Sequence, residues 1–209
     1  MRRETSFLAL FTALVAVQGA DCQTSVRGVV RNGGAPIGEA AIYLVPLDAP
    51  APVPPEQPRT IDQVHLNFVP RVFVIAPGTE VSFLNSDGVL HNVFGPGLGG
   101  VDAFDLGTYD RNESRSWVFA QEGLHVVLCH IHPEMAAYII VAPTRYKALT
   151  AVDGTFRIES VPEGRYRLHA WHVRHWRNEY SEEITVRAGA DTDLLITLGR
   201  STDPMSPSP

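Results

Sequence analysis

Apolar residues fall in short alternating runs separated by turn sequences. Val26, Val29 and Val30 precede Asn32-Gly33-Gly34, a turn signal, and Ala40 to Leu47 follows as a second strand. In that strand Ile42 and Leu44 face one side and Tyr43 and Val45 the other. Val72 to Ala76 is an apolar run closed by Pro77-Gly78, and in Glu80 to Leu84 the pair Val81 and Phe83 opposes Glu80 and Ser82. Trp117 to Phe119, Leu124 to Cys129 and Ala137 to Val141 continue the series. Thr155 to Ile158, Tyr166 to His172, Ile184 to Val186 and Leu194 to Leu198 complete it, with Tyr166, Leu168 and Ala170 sharing one face. The runs recur at spacings of about 8–12 residues, the rhythm of an all-β sandwich or barrel. No stretch shows a 3.6-residue period, so an all-β chain is predicted.

Punctuation divides the chain. Residues 49–58 hold five prolines, which excludes strand or helix and predicts a stiff linker. Gly95 to Gly100 is glycine-rich and reads as a loop. The blocks expected are 24–48, 59–143 and 144–199, followed by a disordered tail over 200–209. Residues 1–20 read as an export signal: Arg2 and Arg3, an apolar stretch from Phe7 to Val17, then small Gly19-Ala20. A periplasmic or secreted protein is therefore expected. Asp21 before Cys22 fits a lipoprotein signal poorly, so no lipid anchor is expected at Cys22.

Composition narrows the function classes. The chain has 209 residues, of which 17 are Gly and 16 Pro, an excess that goes with many turns. Net charge is −6, and loss of the signal's two arginines and one glutamate makes it −7. Such a charge argues against a nucleic-acid-binding surface. The absence of an 18-residue apolar run argues against a membrane-spanning helix. Two cysteines cannot build a disulfide-rich scaffold.

The chemistry concentrates in Cys129-His130-Ile131-His132-Pro133-Glu134-Met135, a loop between two apolar strands. His91 lies upstream, after the strand ending near Leu84. Singly, each residue has a plain reading: a strand-end cysteine packs as a small hydrophobe, a methionine beside Ala136-Ala137 is core. Together, one thiolate, two imidazoles and a thioether form a soft donor set. That set suits copper cycling between two oxidation states, in a trigonal His2Cys plane with a long axial Met. Zinc in a tetrahedron of Cys129, His132, His91 and His130 is the other reading, one that leaves Met135 without a purpose. His130 neighbours Cys129 in an extended chain, so the two side chains point to opposite sides.

Cys129-x-x-His132-x-x-Met135, with upstream His91-Asn92 and Pro77-Gly78-x-x-Val81-x-Phe83-x-Asn85, resembles the cupredoxins over roughly residues 60–142. The short ligand loop is most similar to that of amicyanin, where plastocyanin has a longer gap before its Met. The resemblance implies a Greek-key β-sandwich with one type 1 copper ion held by His91, Cys129, His132 and Met135, and Asn92 bracing the cysteine loop. It also implies that His132 lies near the surface and that the protein is an electron carrier, not an enzyme. Its partner would be a redox protein such as a c-type cytochrome or a periplasmic dehydrogenase.

The flanking blocks carry a second resemblance. Val26-Arg27-Gly28-Val29-Val30, Gly38-x-Ala40-x-Ile42-x-Leu44 and Asp153-Gly154-x-Phe156-x-Ile158-x-x-Val161-Pro162-x-Gly164-x-Tyr166 resemble carboxypeptidase regulatory-like, transthyretin-like domains. The implied arrangement is a cupredoxin inserted into a small β-sandwich, as in periplasmic proteins labelled methylamine utilisation proteins. Two other functions stay open: copper binding or delivery in metal homeostasis, and a structural or glycan-binding sandwich with a non-redox metal loop. His169, His172 and His175, near Trp171 and Trp176, fit either an aromatic strand end packed on another domain or a second metal or partner site.

Overall fold

The computed structural model describes residues 24–48, 52–175 and 179–199. The expected export signal, Cys22, Trp176 and the expected disordered tail lie outside the described residues. Among the described residues the regular structure is β-strand, with two short 3-10 turns at Leu98–Gly100 and Val173–His175. The chain is all-β, as the alternation predicts.

The described residues form seventeen strands in four sheets. An outer flanking sheet places Val26–Asn32 between Thr155–Ile158 and Thr192–Leu198, with the short Ala35–Pro36 folded back on it. An inner flanking sheet has the order Lys147–Leu149, Ala41–Pro46, Gly164–Trp171, Tyr180–Val186. An inner site sheet has the order Val72–Ile75, Ala136–Val141, Gly123–Leu128, His91–Gly95, Phe104–Tyr109. An outer site sheet has the order Ser114–Phe119, Thr79–Asn85, Arg59–Val64, Asn67–Val69.

Three apolar clusters fix how the sheets stack. Ile42, Leu44, Leu168, Phe156 and Ile196 join the two flanking sheets into one sandwich. Ile61, Phe83, Phe119, Val127 and Ile139 join the two site sheets into another. The third cluster, Ala41, Tyr43, Trp171, Val72, Val74, Ile140 and Ala142, seals inner sheet against inner sheet. Both faces of an inner strand are then covered, which is why Ala41 to Leu44 and Val72 to Ile75 are buried without alternation. Trp171 packs at this junction with its ring 5.2 Å from that of Tyr138.

The linker is anchored. The Glu56 N–H donates to the buried Thr79 Oγ1 (3.0 Å), and the Glu56 carboxylate takes the Ala76 N–H (3.0 Å) and an ion pair from Lys147. One side chain thus ties the proline-rich segment to both sandwiches.

Several strands carry no legible pattern. Arg59–Val64 offers Ile61 to the core, but its next inward position is Gln63, fully buried and donating to Tyr109 Oη (2.6 Å). Phe104–Tyr109 buries only its two ends, and Gly107, at φ 72°, breaks its alternation. His91 follows the strand Thr79–Asn85 and itself opens a further strand, His91–Gly95.

Candidate metal centre

The loop 129–135 joins two antiparallel strands of the inner site sheet, Gly123–Leu128 and Ala136–Val141, which pair Leu128 with Ala136. The neighbouring strand His91–Gly95 pairs Phe94 with Leu128. His91 therefore starts its strand beside the place where the cysteine loop leaves. Pro133 favours the turn that follows His132, and the Met135 N–H closes it on the His132 carbonyl (3.0 Å). Cys129 is 3% exposed, Met135 1% and His91 0%; His132 is half-buried.

Three donor atoms converge here. Cys129 Sγ lies 4.0 Å from His91 Nδ1 and 3.9 Å from His132 Nδ1, and the two Nδ1 atoms are 3.1 Å apart. Among the described residues this is the one group of three or more His, Cys, Asp or Glu with metal-ligating geometry. A metal bonding two imidazole nitrogens and one thiolate in a plane holds sulfur and nitrogen about 3.8 Å apart. The observed triangle matches in its two sulfur edges and is a few tenths of an ångström tighter in the third. Met135 belongs to the same buried cluster as Cys129. A thiolate, two imidazoles and a buried thioether fit a soft, redox-active ion.

His130 does not join the triangle. Its ring stacks on Phe94 (3.6 Å, 8° between planes), and its Nε2 lies 3.9 Å from Asp105 Oδ2 at the surface. The four-ligand zinc arrangement with His130 is thus not the one formed. Asn92 spans the two segments: its Oδ1 faces the His130 N–H at 3.4 Å, and its Nδ2 donates to Asp105 Oδ1 (2.8 Å). The Gly107 N–H and the Asn92 amide hold the Asp105 carboxyl below its ordinary range.

Two acidic residues at the site escape sequence reasoning. Asp105 is one. The other is Asp87, whose Oδ2 lies 2.9 Å from His91 Nε2, on the side of the ring away from the triangle. Burial alone would raise the Asp87 carboxyl, but the Leu66 N–H, the His91 ring and the His65 N–H outweigh it and hold it below the usual range. An ionised carboxylate only accepts, so in the neutral His91 ring the proton sits on Nε2 and Nδ1 is left free toward the triangle. An acid four residues before the histidine was the available signal.

The remaining histidines separate. His169 stacks on Tyr43 (4.6 Å, 1°) and lies 3.1 Å from Glu179. His172 Nδ1 accepts the Arg174 N–H (3.1 Å), and His175 Nε2 lies 3.0 Å from Asn32 Oδ1. Trp171 packs across the junction, whereas these three histidines meet partners of the flanking sandwich and form no metal-ligating group among the described residues.

Comparison with known proteins gives the following. Residues 142–194 match the family model "Polysaccharide lyase family 4, domain II". No curated protein shows a significant match to the chain. Among solved structures, the chain is similar to a Cu-containing nitrite reductase (NirK) from Thermus scotoductus SA-01, at 27% identity and TM-score 0.40. That match covers 47% of this chain and 25% of the reductase, so the chain spans about a quarter of its length. It is similar to a purple cupredoxin from Nitrosopumilus maritimus, at 22% identity and TM-score 0.37, over 40% of this chain and 99% of that one. Amicyanin from Paracoccus versutus follows at 20% identity and TM-score 0.37, over 48% and 97%.

Proposed function

We propose that this is an exported type 1 copper protein that passes single electrons between redox partners, a carrier and not an enzyme. Residues 59–143 form its cupredoxin-type domain, and 24–48 with 144–199 form a carboxypeptidase regulatory-like sandwich around it. The observation that carries the reading is the buried convergence of His91 Nδ1, Cys129 Sγ and His132 Nδ1 within 4.8 Å. The exported location rests on the basic, apolar and small residues of positions 1–20.

Copper held there supplies one-electron exchange between Cu(I) and Cu(II). The chain's part is to keep the donors in place while the charge changes. Cys129 and His91 are fixed by two paired strands, and the turn closed by the Met135 N–H fixes His132 and Met135 relative to each other. Asp87 keeps His91 Nδ1 unprotonated. Met135 is buried in the same core cluster as Cys129, while half-buried His132 is the ligand nearest solvent. A small, weak docking surface around His132 suits a transient redox partner.

The test is a visible spectrum of the Cu(II)-loaded chain. An intense sulfur-to-copper band is expected, and Cys129→Ser abolishes it. Met135→Gln keeps copper but lowers the potential, because a harder oxygen donor favours Cu(II). A colourless copper-loaded wild type contradicts the proposal.

A further inference from the structure

We propose that the exposed hairpin tip His65–Leu66 is a positioning element for the metal centre, acting through Asp87 on His91. The inference rests on the reading of His91, Cys129 and His132 as metal ligands. The strands Arg59–Val64 and Asn67–Val69 pair Val64 with Asn67, leaving a two-residue turn. His65 and Leu66 both have positive φ, 51° and 58°. Such turns favour Asn-Gly or Gly-Gly, since non-glycine residues rarely adopt this hand. Here the hand has a use. It aims two successive N–H groups at one carboxylate: His65 N–H at Asp87 Oδ1 (2.6 Å) and Leu66 N–H at Asp87 Oδ2 (2.9 Å).

The same carboxylate receives His91 Nε2 (2.9 Å), and its side chain is 11% exposed. Asn85, fully buried, secures the loop from behind: its Oδ1 accepts the Asp87 N–H (3.0 Å) and its Nδ2 donates to the Val89 carbonyl (2.9 Å). Asp87 therefore cannot swing away from His91 without losing the turn. A surface turn with no metal donor of its own in the triangle selects which nitrogen of His91 holds the proton, and so which one is free for metal.

The test uses the full chain and two readouts. The first is the 15N spectrum of the His91 ring in the metal-free protein, which reports the tautomer. The second is copper affinity measured by competition with a chelator. Asp87→Asn is expected to mix the His91 tautomers and weaken copper binding about 10- to 100-fold. His65→Pro, which removes one N–H and forces φ negative, is expected to shift both readouts in the same direction. Should that chain not fold, Leu66→Val serves, since a β-branched residue opposes the positive φ. The double change His65→Asn with Leu66→Gly keeps both donors in their favoured hand and leaves both readouts as in the wild type. Unchanged tautomer in Asp87→Asn overturns the proposal. A shift in Asp87→Asn without one in the turn variants removes the hairpin from it. A wild type that binds no copper defeats the metal reading alone, because the tautomer measurement still decides the hairpin's role.

Discussion

Among the described residues the two sandwiches bury cores of equal size, sixteen residues each, from different chemistry. The flanking core is mostly aliphatic, with Phe156 its single phenylalanine. The site core holds five phenylalanines together with Cys129 and Met135. Buried polar residues differ in the same sense. In the flanking sandwich they stitch distant segments together: Thr144 Oγ1 donates to the Leu44 carbonyl, and Thr150 Oγ1 donates to the Ile37 carbonyl while accepting the Ala40 N–H. Each group is satisfied within the chain. In the site sandwich, Cys129 Sγ and the Nδ1 atoms of His91 and His132 instead turn toward one another. Two cores of one size, then, differ in what their polar groups do: one turns them to its own backbone, and the other gathers three potential metal donors at one point.

The sharpest way to break that comparison is at the junction. Trp171→Ala empties a site that is 3% exposed and is expected to cost about 3–5 kcal/mol. Thermal unfolding measures the cost, and the copper band should persist below the lowered midpoint. Loss of the band in the folded variant would mean that the flanking sandwich takes part in the chemistry. Next in size is metal removal. Copper at a hundred times its Kd stabilises the native state by about 2.7 kcal/mol. Chelation should return the midpoint to that of the metal-free chain, and Cys129→Ser should show no such step. Tyr43→Phe removes the hydroxyl that donates to Glu179 Oε1 (2.5 Å) and should cost about 1–2 kcal/mol with spectrum and potential unchanged.

The smallest effect is acid sensitivity, which the two sandwiches share. Burial holds both His125, in the site sandwich, and His172, at the junction, below the ordinary value of 6.5. Above that value both folded and unfolded chains keep them neutral. As pH falls through 6.5 the unfolded chain takes up protons first, so stability drops toward the lower folded values. Unfolding midpoints between pH 7 and about 5 should fall, and His125→Gln or His172→Gln should each flatten the fall.

Legibility varied within the site sandwich itself. The ligand loop stood out because Cys129, His132 and Met135 lie within seven residues of sequence, and their chemistry is uncommon in a strand connection. Strands with clean alternation, such as Thr79–Asn85 with Val81 and Phe83 inward, were equally plain. Arg59–Val64 was not, because Gln63 fills an inward position through a hydrogen bond to Tyr109 that only the fold creates. Asp105 carried no such signal, and Asp87 only its place four residues before His91. Loop carboxylates are common, and these two acquire roles from partners elsewhere, the 65–66 turn in one case and Asn92 in the other.

The most direct test of the metal centre is X-ray absorption at the copper edge of the loaded full chain. The account predicts one short copper–sulfur bond and two imidazole nitrogens, with the sulfur lost in Cys129→Ser and one imidazole lost in His91→Gly. A copper shell without sulfur, or one unchanged in Cys129→Ser, would contradict it.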